Sequence, residues 1–232
     1  MADNCKYWLS VDLSSPRGTV AIHSINSTAL PTLLVSRVIT ELGEHTEAFI
    51  PQLQSVLNET NISFNHISRL ITSSGPGSFT GLRIAFASLK ALAYGANIPL
   101  DVLSGSEARA LSWVIKQSEL SHENLYVTTY ITSARFVAAH FKVNKDKSLT
   151  FTEEKICSNG SFINCKSSPV VLLDGRINSA KIQSEYPFFS YEYPLDAAQL
   201  GETLLLAHTR NSYQSFDDWR FLSPRYFGSD RY

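Results

Sequence analysis

The sequence is poor in the features that mark secreted and membrane-spanning proteins. Its 232 residues include three cysteines, and none of them belongs to a C-x-x-C pair. This argues against a disulfide framework and a structural zinc site, and it fits a reducing compartment. The N-terminal MADNCKYWLSVDL lacks a basic segment followed by an apolar run, so no signal peptide is expected. No stretch approaches the roughly 18 apolar residues that a membrane span needs. We therefore expect a cytoplasmic protein.

The chain also lacks an excess of either charge. Lys plus Arg is 20 and Asp plus Glu is 21, which gives a net charge of -1. A protein that grips nucleic acid by its phosphates normally has a basic excess, so this chain is not expected to be the main grip on any nucleic acid. With 44% hydrophobic and 18% charged residues, the composition is that of a globular protein with a buried core.

Apolar runs and turn residues predict two α/β halves. In the first half, strands are predicted at 7–13, 19–25, 33–39 and 69–74, and helices at 44–60 and 78–96. After a hinge at 103–105, the second half has predicted helices at 106–117 and 196–210 and strands at 125–131, 135–143, 149–155 and 170–175. The polar segment 156–169 is predicted to be a loop. The repeated element order predicts two related domains, 1–103 and 104–232, with the last helix and the tail as candidates for packing back on the first.

The stretch SSGPGSFTGLRI, which begins at Ser73, has the outline of a phosphate-binding turn but not its chemistry. A P-loop needs a second glycine five positions after Gly75, where this chain has Thr80, and a lysine that is absent. The dinucleotide fingerprint fails at the same threonine. Two interpretations stay open: an anion site at the helix N-terminus, or a tight turn in which Gly75 and Gly77 allow unusual backbone angles and Ser78 caps the helix.

Asp12, at the end of the first strand, is the other candidate for nucleotide chemistry. Its carboxylate could hold a metal–phosphate ligand, or it could be an Asx-type turn residue. Asp12, Gly75, Gly77 and Ser78 are thus the candidate nucleotide-binding residues.

The motifs of two hydrolase classes are missing. A zinc peptidase helix would place two histidines four residues apart, but His45 is followed at that spacing by Phe49, and no two of the six histidines lie three or four residues apart. A serine hydrolase elbow around Ser78 would need glycines where the chain has Pro76 and Thr80. We therefore predict no catalytic residue and no metal ligand.

The helix at 78–96 is more apolar than a helix packed on one sheet requires. Its small and apolar side chains sweep roughly 220° of the circumference, whereas a surface helix needs a stripe of about 100° or somewhat more. The flank of Ile84, Ser88 and Ala91 is small enough for another helix to approach closely. Either the helix at 44–60 covers this flank or a partner protein does.

The residues described so far resemble the TsaB (YeaZ) family. The matching segments are SVDLSS (10–15), GEHTEAFIPQL (43–53), the stretch 73–100 and the tail SPRYFG (223–228), and the second half matches loosely. The resemblance implies an α/β chain of the actin-like ATPase (RNase H-like) fold with two related β-β-β-α-β-α halves. It also implies a non-catalytic subunit that supports threonylcarbamoyl transfer, by the related catalytic subunit TsaD, to the adenosine next to the anticodon in tRNA.

The resemblance implies partners as well. A TsaD-like subunit is expected on the first-half helices, with His45, Phe49, Ile84, Ser88 and Ala91 as partner-binding residues. A TsaE-like ATPase is expected to work with the pair. The chain is expected to contact tRNA only through the complex, and a homodimer is possible when the chain is alone. No cofactor of its own is expected; ATP or ADP at a subunit interface is left open.

The chain departs from the family pattern in two places. An acidic residue is missing from the segment 131–135, where family members often have Asp-Ala-Arg, and this weakens a nucleotide role. Phe86 and Leu89 are bulkier than the usual residues of the family's interface helix. Two other functions stay open: an ATP-dependent kinase or hydrolase that uses Asp12, and a metallopeptidase-like protein.

Overall fold

The protein is represented by a computed structural model that describes residues 6–25, 31–39, 45–119, 121–158, 162–163, 168–184, 187–209 and 224. The described residues form two compact units, one within 1–104 together with 195–209, and the other within 105–194. The family tail 223–228 lies outside the described residues except for Pro224.

The first unit is a five-stranded mixed sheet. Its elements are β1 (Lys6–Asp12), β2 (Thr19–Ile25), β3 (Thr32–Val38), α1 (His45–Glu59), β4 (Ile67–Ser73), α2 (Phe79–Ala96) and β5 (Leu100–Leu103). The strand order is β3-β2-β1-β4-β5. The hairpin of β1 and β2 is antiparallel, and β1, β4 and β5 run parallel, with helical crossovers between the parallel strands as such connections require.

The second unit repeats this strand order. It contains α3 (Gly105–Lys116), β6 (Asn124–Tyr130), β7 (Arg135–Val143), β8 (Leu149–Ser158), β9 (Phe162–Ile163), β10 (Val170–Leu173), β11 (Gln183–Ser184) and β12 (Phe189–Glu192). The main sheet has the order β12-β10-β6-β7-β8, and β9 pairs with β11. When the first sheet is read from β3 and the second from β8, both have the same order: the third, second and first strands of the unit, and then its two later strands, which run parallel to the first. The predicted actin-like α/β fold with two related halves is confirmed.

The sequence-based assignment of elements was wrong in two respects. The strands β5, β11 and β12 were missed, and residues 156–158 of the predicted loop belong to β8, which stays paired with β7 as far as Ser158. Part of the remaining loop forms β9. Helix α1 is continuous from His45 to Glu59, with Pro51 in its interior.

The core of the first unit lies between the sheet and the pair α1 and α2. Strand β1 contributes Leu9 and Val11, and both are 0% exposed. Helix α1 contributes three residues at helical spacing and α2 three more: Phe49, Leu53, Val56, Ala85, Leu89 and Ala93. Both helices therefore lie on one face of the sheet, and their outer sides face away from it.

A further helix, α4 (Ala197–Thr209), packs on strands β1 to β4 of the same unit. Small residues allow it to lie close: Ala21 of β2 clusters with Ala197 and Ala198. A Cβ at Gly201 would overlap the imidazole of His23, which is 0% exposed. Burial lowers the pKa of His23 to about 4, and the backbone of Ala198 opposes only part of this shift. Helix α4 therefore covers a neutral histidine.

Candidate functional site

The glycine-rich turn connects β4 to α2. Gly75 has a φ of 96°, a left-handed conformation that favours glycine, as the sequence predicted for this position. Its N–H donates to Ser73 Oγ at 3.0 Å. The predicted N-cap is confirmed: Ser78 Oγ accepts a hydrogen bond from the N–H of Gly81 at 3.2 Å. Two amides of the turn are thus engaged within the turn itself.

The same turn is seated on the hairpin between β1 and β2. The N–H of Ser78 donates to the carbonyl oxygen of Ser14 at 2.6 Å. A Cβ at Gly77 would overlap that carbonyl oxygen and lie 2.6 Å from Ser14 Cβ, so Gly77 is needed for close approach rather than for an unusual φ. A Cβ at Gly81 would overlap the carbonyl oxygen of Leu13. The sequence showed Gly81 only as one more glycine of the motif, and its role was missed.

Asp12 stands where the sequence placed it, at the end of β1, and it is 0% exposed. Its Oδ1 accepts a hydrogen bond from the N–H of Ser14 at 3.2 Å, which is the Asx-type turn considered above. Asp12 and the glycine turn therefore meet at the same hairpin, and their contacts there maintain the local backbone. Nucleotide binding by Asp12, Gly75, Gly77 and Ser78 stays a prediction.

The outer side of α2 is rich in exposed apolar and small residues. Phe79 is 41% exposed and Tyr94 is 78% exposed. Ala87 and Ala91 are exposed between them. The guanidinium of Arg83 lies over the Phe79 ring, 3.7 Å from its centroid. Helix α2 therefore has more apolar surface than its own sheet and α1 bury, as its pattern predicted.

The predicted partner-binding residues lie at different depths. Ala91 is exposed, Ser88 is half-buried, and Ile84 is half-buried against the core. Phe49 is 1% exposed, because it faces the sheet from α1, and this leaves no side-chain surface for a partner. Its helical spacing with Leu53 was the signal for a core position. His45 begins α1, but its side chain lies outside the described residues.

Helix α1 adds to the outer surface through other residues. Ile50 is 42% exposed, and Pro51 and Gln54 are exposed beside it. We call the exposed residues Ile50, Phe79, Ala87, Ala91 and Tyr94 the outer helical face. The sequence missed Ile50 and Phe79, although both are large apolar residues on the polar sides of their helices.

In the second unit, a buried arginine ties together the ends of three strands. Arg109 of α3 is 3% exposed. Its Nε donates to the carbonyl oxygen of Tyr193 at 2.6 Å, and its Nη1 donates to that of Thr128 at 2.7 Å. Its Nη2 is 3.5 Å from the carbonyl oxygen of Leu172. This arginine was not singled out from the sequence, since charged residues in an amphipathic helix normally lie on its exposed side.

The described part of the chain has neither a metal-binding cluster nor a membrane-spanning helix. No group of three or more His, Cys, Asp and Glu side chains could hold a metal ion in that part of the chain. None of the helices described is long and apolar enough to cross a membrane.

Comparisons with known proteins agree on the fold. YeaZ from Pseudomonas aeruginosa superposes with a TM-score of 0.71 over 96% of this chain and 100% of its own, at 16% identity. A second Pseudomonas aeruginosa protein, described as similar to peptidase YeaZ, gives 0.72 over 95% and 99%, at 15% identity. At such identities the likeness concerns the fold alone.

Sequence relatives bear the name tRNA threonylcarbamoyladenosine biosynthesis protein TsaB. The Escherichia coli protein is 40% identical over 57 residues, which are 25% of each chain. The Haemophilus influenzae protein is 34% identical over 74 residues, 31% of each chain, and the Bacillus subtilis protein is 32% identical over 78 residues, 33% of this chain and 34% of its own. The matched segments thus span only a quarter to a third of these relatives.

A family model described as TsaD, tRNA N6-adenosine threonylcarbamoyltransferase, matches residues 41–193, more than half of the chain. The fold and the matched segments define an α/β protein of the actin-like (RNase H-like) class. The chain belongs to the TsaD family of that class, and its predicted resemblance to the TsaB (YeaZ) proteins is confirmed.

Proposed function

We propose that the chain is a non-catalytic partner subunit of a TsaD-like transferase and supports threonylcarbamoyl transfer to the adenosine next to the anticodon in tRNA. The names of the TsaB relatives support the pathway, and the matching family model, which describes a transferase, supports the partner. In this proposal a TsaE-like ATPase works with the pair, and tRNA is met only through the complex.

The observation that carries the proposal is the outer helical face. Its residues present exposed aromatic and aliphatic carbon on two neighbouring helices, with alanines that let a partner backbone come close. Large apolar residues that are exposed on neighbouring helices favour a protein–protein contact. Ile84 and Ser88 lie half-buried at the edge of the same side of α2, where a partner helix would complete their burial. A second copy of the chain could occupy this face when the partner is absent.

The decisive variant is Ala91→Glu. The side chain of Ala91 is exposed, so the variant is expected to fold, but a charge at the contact would be desolvated without a partner. We expect the affinity for the TsaD homologue of the same cell to fall at least ~30-fold, the equivalent of about 2 kcal/mol. Calorimetric titration measures the affinity, and circular dichroism verifies the fold.

The matched control is Ala180→Glu. It makes the same substitution at an exposed alanine of the second unit, remote in sequence from both helices. Its affinity for the TsaD homologue should equal that of the wild type. A folded Ala91→Glu protein that binds as tightly as Ala180→Glu would place the contact elsewhere.

A separate assay addresses the kinase or hydrolase alternative. The purified chain alone is expected to show no ATP hydrolysis above that of a heat-denatured sample. If the chain hydrolyses ATP and Asp12→Asn abolishes this activity while the variant stays folded, Asp12 and the glycine turn form an active site and the proposal is wrong.

A further inference from the structure

The second unit has a small surface notch at the carboxyl ends of its two central parallel strands. The notch is shallow and open to solvent, and it lies between the hairpin that follows β6 and the turn that follows β10. Its lining consists of Tyr130, Thr132, Ser133, Arg135, Phe136, Arg176 and Ile177. Ligands of α/β sheets commonly bind outside the carboxyl ends of parallel strands. At the corresponding end of β1 and β4 in the first unit, the glycine turn fills the space with backbone.

One wall of the notch is held rigidly by Asp174. Its carboxylate accepts hydrogen bonds from the N–H of Tyr130 and from the N–H, Nε and Nη2 of Arg176. The Arg176 guanidinium also lies over the Tyr130 ring, 4.5 Å from its centroid. Burial raises the pKa of Asp174, but its bonds to Arg176 and Tyr130 outweigh burial and hold the pKa below its usual value. Asp174 and Arg176 therefore compensate each other's charge.

Arg135 brings a second positive charge to the notch. Its side chain is exposed and takes part in no ion pair with the described part of the chain. The carboxylate of Glu192 lies near Gly175 in the adjoining turn but does not line the notch. The lining therefore has a net positive charge contributed by Arg135.

Thr132 provides a hydrogen-bond donor beside that charge. Its Oγ1 accepts hydrogen bonds from the N–H of Ala134 at 3.3 Å and of Arg135 at 3.1 Å. A hydroxyl oxygen that accepts two hydrogen bonds still has its own hydrogen to donate. A group that only accepts hydrogen bonds and is negatively charged is therefore the best complement to both Thr132 and Arg135.

We propose that this notch binds one oxyanion group, a phosphate or a carboxylate, through the Arg135 guanidinium and the Thr132 hydroxyl, with the apolar edges of Tyr130 and Ile177 beside it. The proposal does not depend on the partner-subunit function, because no residue of the outer helical face takes part.

The test is a titration of the isotopically labelled full chain, followed by amide NMR at constant ionic strength. Inorganic phosphate is the first probe, acetate the second, and sodium chloride the reference. We expect saturable shifts confined to residues 130–136 and 174–177. Saturation by phosphate alone would identify a phosphate site, and saturation by acetate alone a carboxylate site. Both results support the proposal.

Two variants give the titration its specificity. Arg135→Gln should weaken binding roughly tenfold or more, since it removes a charge-assisted hydrogen bond, whereas Arg135→Lys should retain part of the affinity. Lys145→Gln removes the same charge from the exposed turn after β7 and should leave the affinity unchanged. Shifts that do not saturate, or that Arg135→Gln and Lys145→Gln reduce equally, would overturn the proposal. The second result would mean that the anion responds only to net charge.

Discussion

The two five-stranded sheets have the same strand order, but the ends of their central strands are held by different chemistry. In the first unit, backbone packs on backbone: the glycine turn lies on the hairpin after β1, and glycines at 77 and 81 make room for the carbonyl oxygens of Ser14 and Leu13. In the second unit, side chains do this work: Arg109 and Asp174 bind backbone groups of neighbouring strands. The same strand order is thus compatible with two kinds of contact at the strand ends, and we call these contacts the closure of each sheet.

This difference affects how readily each kind of contact can be recognised in the sequence. Close backbone contact demands glycine, so it leaves a recognisable motif. The partners of Arg109 and Asp174 are backbone groups, which every residue has. The sequence therefore contains no motif that identifies these partners. Variants that remove the closure of each sheet in turn test this contrast between the two units.

The largest effect is expected for Arg109→Met. The variant keeps the apolar stem but removes the arginine donor from the carbonyl oxygens of Thr128 and Tyr193. The carbonyl oxygen of Leu172 keeps the Thr128 hydroxyl as a donor. We expect the free energy of unfolding to fall by about 3–5 kcal/mol, as for other broken networks around buried charges. Urea denaturation measures the change. Hydrogen exchange should show lost protection in β6 and β10 and retained protection in β1 and β4.

The control for this variant is Arg135→Met, which removes an exposed arginine from the same unit. It should alter the free energy of unfolding by less than about 0.5 kcal/mol. If Arg109→Met costs no more than Arg135→Met, the buried arginine does not hold the second sheet together, and the contrast between the units fails.

Gly81→Ala should have the next largest effect, and in the other unit. The new methyl group would overlap the backbone of Leu13, which cannot turn aside as a flexible side chain can. We expect a loss of about 3 kcal/mol, near the upper end for overpacking, with lost protection in β1 and β4.

Helix α2 contains its own control for that variant. A Cβ at Gly95 would meet no atom within 4 Å, so Gly95→Ala should be neutral or should stabilise by up to about 1 kcal/mol through helix propensity. Equal effects of Gly81→Ala and Gly95→Ala would mean that the turn is not seated on the hairpin.

The sequence predicted the strongly patterned parts of the fold. Helices α1 and α2 were placed within one residue at each end, because apolar residues recur at helical spacing and Ser78 caps the second helix. The strands β5 and β12 were missed because each has only four residues. Strand β5 begins four residues after the end of α2, and every residue of β12 is exposed, although its sequence alternates apolar and polar residues.

The candidate site was predicted less completely than the fold. The sequence indicated that α2 has an unusually apolar outer side, because that property depends on residue type and spacing alone. Phe49 was assigned to the partner surface on the family resemblance, although its own spacing indicated the core. The close approach of Gly81 to Leu13 and the hydrogen bonds of Arg109 involve residues that are distant in the chain. A local sequence pattern therefore does not reveal them.

The third prediction concerns the acid sensitivity of the first unit. The folded pKa of His23 is about 4 and its ordinary value is 6.5, so the unfolded chain binds the proton more readily between these values. The stability that neutral His23 contributes is therefore complete above pH 6.5 and is lost as the pH falls towards 4. We expect a loss of about 2–3 kcal/mol across this range in urea titrations.

His140 must be separated from His23 in that measurement. Burial also lowers the pKa of His140, which lies in the second unit. The variant His23→Gln cannot titrate at position 23 but leaves His140 in place, so the difference between wild type and variant isolates His23. Identical pH dependence of the two proteins would show that α4 does not hold His23 in its neutral form.

The smallest effect is expected for Asp174→Asn, which tests the side-chain closure at its exposed edge. The backbone N–H groups of Tyr130 and Arg176 bond to different oxygens of the carboxylate, so the single amide oxygen can keep only one of these hydrogen bonds. The charge that engages the Arg176 guanidinium is also gone. We expect a loss of about 1–2 kcal/mol at pH 7. Because the folded pKa of Asp174 is lowered, its contribution is complete above the ordinary pKa of an aspartate and is lost as the pH falls through the folded value. The wild type should therefore approach the stability of the variant in acid.

The control is Glu123→Gln, which replaces an exposed carboxylate of the same unit. It should show neither the loss of stability at pH 7 nor the convergence with the wild type in acid. If Asp174→Asn behaves like Glu123→Gln, then the closure of the second sheet depends on Arg109 alone.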